Sequence, residues 1–382
     1  VDNVIAVLER SDRVCQIDLA YVQSSELEII LAAMQHPFPE LTYLGLYDTV
    51  GEMVRVVSDS FLGESTPSLK FLWLDGIPFP GLPKLLLSAT HLVDLHLYRI
   101  PHSGYISPEA MVTALSTLTR LEELTLRFQS PQSCPDRASR RPPPSTRSVL
   151  PVLRSFQFKG VAEYLEDLVA HIDAPRLNEL EITFFNDTVF DTPHLMRFIS
   201  RTPTLRALEQ ADITLRSHDA SLHFSSRAYG DGEVDVKILC QGLDWQVSFV
   251  EQVCTSCLPL LSMLEDLYTY ESTVYQPDWE GDTENGLWLQ LLHPFTSVKN
   301  LYLSEQFALR IGPALQELAE GRTKEVLPAL ENIFLKGLEP SGPVQEGIRQ
   351  FVASRQVTGC PITVSRWDDS DLEQDEVPTS GD

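Results

Sequence analysis

Leu92-Val93-Asp94-Leu95-His96-Leu97 is a Leu-x-x-Leu-x-Leu phrase, and it recurs along the whole chain. Leu95 and Leu97 stand two apart, so on a strand they share one face, and Leu92 can plug the turn that leads in. The same phrase reads Leu41-x-x-Leu44-x-Leu46, Leu69-x-x-Leu72-x-Leu74 and Leu121-x-x-Leu124-x-Leu126. Variants with other apolar residues begin at Val14, Leu153, Leu177, Val298 and Leu330. A drifted copy begins at Leu264.

First positions fall at 14, 41, 69, 92, 121, 153, 177 and 205, in steps of 23–32 residues. Pro39, Pro67, Pro151, Pro175, Pro203 and Pro328 each stand two residues ahead of a first position. Proline ends a helix and holds its predecessor extended, so it marks the turn from helix to strand. A phrase of this kind at a period near 20–29 residues is the signature of a leucine-rich repeat. The spacing predicts an α/β solenoid (a horseshoe) of about twelve strand–helix repeats with a parallel concave sheet. It spans 1–367, counting Val236 and Leu264 as degenerate strands.

Local signals fill in the connections. Ser24-Ser25-Glu26 predicts a helix with Leu27, Ile30, Leu31 and Met34 facing the core. A second is predicted through Met53, Val54, Val57 and Leu62, and a third from Ser107 as N-cap with Pro108 in the first turn. Later helices are predicted around 311–320 and 343–354, with Ile362-x-Val364 as an end strand. Residues 129–148 are Pro-rich and basic, which predicts a disordered insertion; a partner-binding or phosphorylated loop is the other reading. Between 211 and 249 the apolar residues alternate at Ile213/Leu215, Leu222/Phe224 and Val234/Val236/Ile238. That pattern predicts a β-rich repeat with a hairpin in place of a helix and a turn at Tyr229–Gly232. The acidic stretch 368–382 is expected to be a disordered tail.

Composition narrows the function. The 382 residues carry a formal charge of −25 and a pI near 4.7, which argues against nucleic acid as the main ligand. No apolar run is long enough to span a bilayer, so no membrane association is expected. Six cysteines in no dense framework fit a reducing compartment, and the expected location is cytoplasmic or nuclear. The chain begins at Val1 within helix-like sequence, which reads as a fragment or a processed product.

No cofactor, metal or catalytic residue is predicted. Cys254-x-x-Cys257 lacks a second pair of ligands. The alternating acids of 276–286 lack the glycine position and closing Glu of a calcium loop. Asn186-Asp187-Thr188 fits a glycosylation acceptor but is given no function. Ser217-His218-Asp219 are neighbours in sequence, whereas a triad is defined by spatial roles.

What the repeat supplies is a surface, made of the strand positions between the leucines. Tyr43, Tyr47, Phe71, Trp73, His96, Tyr98, Tyr268, Tyr270, Tyr302 and Phe334 are the candidate partner-binding residues. Aromatics also suit strands by intrinsic preference, and both readings stand at this point.

The Pro-x-Leu-x-x-Leu-x-Leu rungs, the stretch 211–249 and the ending Pro361-Ile362-Thr363-Val364-Ser365-Arg366-Trp367 resemble fungal F-box proteins of the leucine-rich-repeat type. The resemblance implies a repeat region that selects the protein substrate of a cullin–RING ubiquitin ligase on its concave face. It implies a Skp-type adaptor as partner only through an F-box, which is not read in this chain. The alternative is a stand-alone repeat protein, a regulator or inhibitor of a protein partner. Either way the protein is expected not to be an enzyme.

Overall fold

A computed structural model describes residues 1–48, 56–133, 147–185, 192–227, 232–240, 242–256, 261–271, 285–318, 325–336 and 343–367. The chain forms two compact units, Val1–Arg206 and Ala207–Asp382.

In the first unit the strands are β1 (Gln16–Leu19), β2 (Tyr43–Tyr47), β3 (Phe71–Asp75), β4 (Asp94–Ile100), β5 (Glu123–Phe128), β6 (Ser148–Val149), β7 (Ser155–Gly160), β8 (Ile172–Asp173) and β9 (Glu179–Phe185). One all-parallel sheet runs β1-β2-β3-β4-β5-β7-β9, and β6 pairs β8 separately. Each link brings the second leucine of one phrase opposite the second leucine of the next. Ile17, Leu44, Leu72, Leu95, Leu124, Phe156 and Leu180 thereby form one row. Two residues on, Leu19, Leu46, Leu74, Leu97, Leu126, Phe158 and Ile182 form a second. Leu44, Leu72, Leu95 and Leu124 are at most 1% exposed.

The first leucine of each phrase works differently. Leu41, Leu69, Leu92, Leu121 and Leu177 each close an i→i−3 turn with their N–H, at 3.0–3.2 Å, and each is fully buried. The strand ladder starts just beyond that turn: Lys70 N–H donates to Thr42 O, Val93 to Lys70, Glu122 to Val93, Arg154 to Glu122 and Asn178 to Arg154, at 2.8–2.9 Å. Parallel strands need long crossovers, and the repeat period provides them.

Short helices fill these crossovers. Helices Leu82–Leu86, Pro108–Leu115, Ala162–Val169 and Pro193–Arg201 pack each on the next. Ser107 caps Pro108–Leu115 through Oγ, which accepts from Ala110 N–H at 3.3 Å. Helix Pro193–Arg201 is capped from outside its own repeat. The buried carboxylate of Glu166 accepts from His194 N–H at 2.9 Å and from Leu195 N–H at 2.7 Å. That carboxylate satisfies two orphan donors and complements the helix dipole.

The helix predicted through Met53, Val54, Val57 and Leu62 does not form where it is described: 56–58 adopt no regular structure and Phe61–Glu64 is a 3-10 turn. Leu62, Gly63 and Glu64 take left-handed φ of 53°, 61° and 60°, which ends any right-handed helix. Met53 and Val54 lie outside the described residues. Both ends of the 129–148 stretch are ordered. Pro131–Ser133 is a 3-10 turn, and Arg147 binds Ala170 O at 3.2 Å just before β6. Residues 134–146, which carry Arg137, Arg140 and Arg141, lie outside the described residues.

In the second unit the strands are β10 (Gln210–Leu215), β11 (Ala220–Ser225), β12 (Glu233–Leu239), β13 (Asp266–Glu271), β14 (Asn300–Leu303), β15 (Asn332–Leu335) and β16 (Thr363–Arg366). Their order is β12-β11-β10-β13-β14-β15-β16. β10, β13, β14, β15 and β16 are parallel, and β11 runs antiparallel to both β10 and β12. The three alternating stretches are therefore a meander.

Two expectations are corrected here. The hairpin does not replace a helix, because helix Leu243–Ser256 follows the meander. Nor does the phrase at Leu205 set a rung. Leu205 closes the usual turn on Thr202, yet the strand begins at Gln210, and Ala211 and Ile213 occupy the core rows opposite Leu267 and Thr269. Fully buried Leu208 stands three residues ahead of Ala211, so the rung follows Leu208-x-x-Ala211-x-Ile213, with β11 added antiparallel through a hairpin. Its turn is clamped by Arg216 N–H on Asp219 O and by the Arg216–Asp219 ion pair, both at 2.8 Å. Val236 likewise sits in an antiparallel pair with Leu222.

Helices Asn285–Leu292, Glu305–Leu318 and Pro343–Val357 also belong to this unit. Fully buried Arg355 donates to the carbonyls of Leu327, Pro328 and Leu330, which fixes the last turn. The turn at 229–231, Cys134, Cys257, most of the 276–286 loop, Asn186-Asp187-Thr188 and the 368–382 tail lie outside the described residues.

Glu166→Ala removes an acceptor shared by two helix-start donors and is expected to cost about 1–2 kcal/mol in urea denaturation. Unchanged stability would mean that water replaces the cap.

Candidate functional site

Between the buried rows, the intervening residues point to the other face of the sheet. In the first unit one lateral row reads Tyr43, Phe71, Asp94, Glu123, and the next reads Gly45, Trp73, His96, Thr125. Tyr47, Asp75 and Tyr98 form a third. Six of the ten candidate residues meet here. Trp73 stacks on Tyr98 with centroids 4.7 Å apart and planes 23° apart. It also lies 4.7 Å from His96 and 5.9 Å from Tyr47. Tyr43 and Phe71 are 6.3 Å apart. Gly45 makes room for this set: a Cβ there would stand 3.1–3.2 Å from the rings of Tyr47 and Tyr43.

Exposure differs across the patch. Phe71 is 40% exposed, whereas Tyr43, Tyr47, Trp73, His96 and Tyr98 are half-buried. Trp73 Nε1–H is buried with no hydrogen-bond acceptor among the described residues. Tyr43 and Tyr47 hydroxyls are 3.4 Å apart. Burial, helped by that contact, pushes Tyr47 up. Burial also holds His96 below its ordinary value, with Nδ1 3.0 Å from Thr125 Oγ1 and Nε2 3.7 Å from Glu123.

Charge lies around the rings. Arg127 sits over Tyr98 at 5.4 Å and is held by Glu181 at 3.0 Å. Arg99, in the left-handed region at φ 46°, binds Asp75 at 2.5 Å. Burial, then Glu123 and Glu122, push Asp94 up to about 6.

The aromatics of the second unit are used differently. Tyr268, Tyr302 and Phe334 lie opposite one another on β13, β14 and β15, stacked at 4.1 and 4.4 Å. Trp367 meets Tyr268 and Tyr302 edge-on, with Lys336 5.5 Å above it. Tyr268 is only 6% exposed, so it is held inside the stack and not presented to a partner. Tyr270 lies on β13, and its side chain is outside the described residues.

Beside that stack runs a polar ladder that the sequence reading missed. Arg227 Nη2 donates to Asp266 Oδ2 at 2.7 Å, and Asn300 Nδ2 donates to Asp266 Oδ1 at 2.6 Å. Asn332 Nδ2 donates to Asn300 Oδ1 at 2.8 Å, and Thr363 hydroxyl donates to Asn332. The signal was present: Asp266, Asn300 and Asn332 each precede the second apolar residue of a phrase.

The other candidate chemistries do not assemble among the described residues. Asp219 braces a turn through Arg216 and Lys237, at 2.8 and 3.4 Å. No group of three or more His, Cys, Asp or Glu side chains there could hold a metal. Cys15, Cys240 and Cys360 are free thiols. No described helix is long and apolar enough to cross a membrane.

No family model matches the chain, and no curated protein matches it. Among solved structures it is similar to the leucine-rich repeat-containing protein LegL7 from Legionella pneumophila. Identity is 12%, over 88% of this chain and 96% of that one, with a TM-score of 0.35. So distant a likeness carries no weight, and the repeat assignment rests on the in-register rows.

Asp94 generates a pH prediction. Its folded value lies above the unfolded one, so the fold binds this proton more tightly. The stabilisation is complete below about pH 4 and is lost as pH rises through about 6. Asp94→Asn is therefore expected to match the parent protein at pH 4 and to exceed it in urea denaturation at pH 7.5. Loss of stability at pH 7.5 would show that the carboxylate has a partner.

Proposed function

We propose that this protein is a protein-binding repeat scaffold without catalytic activity, and that the solvent face of β2–β5 is its recognition surface. The aromatic set on three consecutive rungs carries this reading. Ring side chains that are rigid, half-exposed and contiguous are what interface hot spots use. Core packing would place aromatics on the buried face of the sheet, and here they stand on the opposite face, against one another. Tyr302 and Phe334 belong to a second, more self-contained cluster and are proposed as secondary contacts.

Within that reading, the resemblance of the rungs and of 361–367 to fungal F-box repeat proteins supports a narrower assignment, substrate selection for a cullin–RING ubiquitin ligase in the cytoplasm or nucleus. Affinity purification of the complete protein from its own cells tests it. Recovery of a Skp-type adaptor and a cullin supports the ligase role. A protein partner recovered without them assigns the chain to the stand-alone regulators.

Two adjacent substitutions test the recognition surface. Phe71→Ala is expected to weaken a captured partner by about 1–2 kcal/mol and to change unfolding by less than about 0.5 kcal/mol. Leu72→Ala, in the buried row, is expected to destabilise by about 2–5 kcal/mol. The reverse pattern would place the strand register one residue out.

A further inference from the structure

The solvent face of the first unit holds more acid than base around its aromatic rings. Two of its carboxylates, Asp18 on β1 and Asp94 on β4, have no ion-pair or hydrogen-bond partner among the described residues. Asp18 leans over Gly45: its Oδ1 lies 2.9 Å from where a Gly45 Cβ would stand, beside the rings of Tyr43 and Tyr47. Asp94 lies directly between exposed Phe71 and Glu123. The nearby arginines are already committed, Arg99 to Asp75 and Arg127 to Glu181. Two unneutralised anionic positions thus flank one set of rings, on a chain whose formal charge is −25.

A ring face beside a carboxylate is a site for a cation, since the ring quadrupole and the charge attract it together. Strands lie about 4.8 Å apart, so β1 and β4 are separated by about 14 Å. An extended segment advances about 3.3 Å per residue, so two of its side chains four residues apart match that span.

We propose that this face binds an extended basic segment of a protein partner, with one lysine or arginine on Asp94–Glu123 beside Phe71 and a second, about four residues away, on Asp18 beside Tyr43. The proposal rests on the reading of this face as the recognition surface. A partner cation there would offset the burial and the neighbouring charges of Glu123 and Glu122 that disfavour the ionised Asp94.

The test is a random twelve-residue peptide library displayed on phage and selected on the complete chain. Selected peptides are then measured by fluorescence polarisation on Phe71→Ala, Trp73→Ala and the Asp94→Asn/Glu123→Gln double variant. The expected binders carry two Lys or Arg three to five residues apart, lose binding on Phe71→Ala, and weaken at least about tenfold on the double variant. Binders that need Phe71 but lack basic residues, or ignore the double variant, overturn the basic partner and leave the recognition surface standing. Binders indifferent to both Phe71→Ala and Trp73→Ala, or no binders at all, overturn the recognition surface and this inference with it.

Discussion

Everything in the first unit depends on one constraint, the lateral alignment of every second residue across seven parallel strands. Leu44, Leu72, Leu95 and Leu124 can be buried together only because the hydrogen-bond ladder holds them in one row. A slip of one residue would turn each leucine to solvent and each aromatic to the core. The turn before β2, β3, β4, β5 and β9, closed by a buried leucine N–H, sets the starting point of the ladder. Stability and recognition therefore share one origin: the period of two that buries the leucines also lines up the aromatic face.

That face has a different character in each unit. In the first, Tyr43, Phe71 and Trp73 lie among carboxylates and keep part of their ring surface open to solvent. In the second, Tyr268, Tyr302 and Phe334 stack on one another and on Trp367, and the ladder from Arg227 through Asp266, Asn300 and Asn332 satisfies the neighbouring polar groups internally. Ring stacks of this kind contribute about 0.5–1.5 kcal/mol per pair beyond area burial. The same residue types thus serve cohesion in one unit and are left available in the other.

Much of this was legible in the sequence, and the failures have physical causes. The phrase at Leu92 places β4 and its buried side correctly because a period-2 pattern needs no tertiary information. At Leu205 the phrase misleads, because its third position is Gln210, and the buried positions belong instead to Leu208-x-x-Ala211-x-Ile213 three residues on. The helix predicted through Met53, Val54, Val57 and Leu62 is absent from 56–64, where Leu62, Gly63 and Glu64 take left-handed φ. The sequence identified which side chains share the solvent face but not which would shield one another. Tyr268 and Tyr302 therefore read like Tyr43 and Phe71 until the stack was seen. The Asp266–Asn300–Asn332 ladder was hidden because three polar residues at matching positions become partners only when the rungs are in register.

The alternation is tested most directly by hydroxyl-radical footprinting of the free protein, read residue by residue by mass spectrometry. Exposed Phe71 should oxidise readily, with Tyr43 and Tyr98 slower, while Leu44, Leu72 and Leu95 stay protected until the protein unfolds. Fast oxidation of Leu72 and Leu95, with Phe71 and Tyr43 protected, would contradict the register and every assignment built on it.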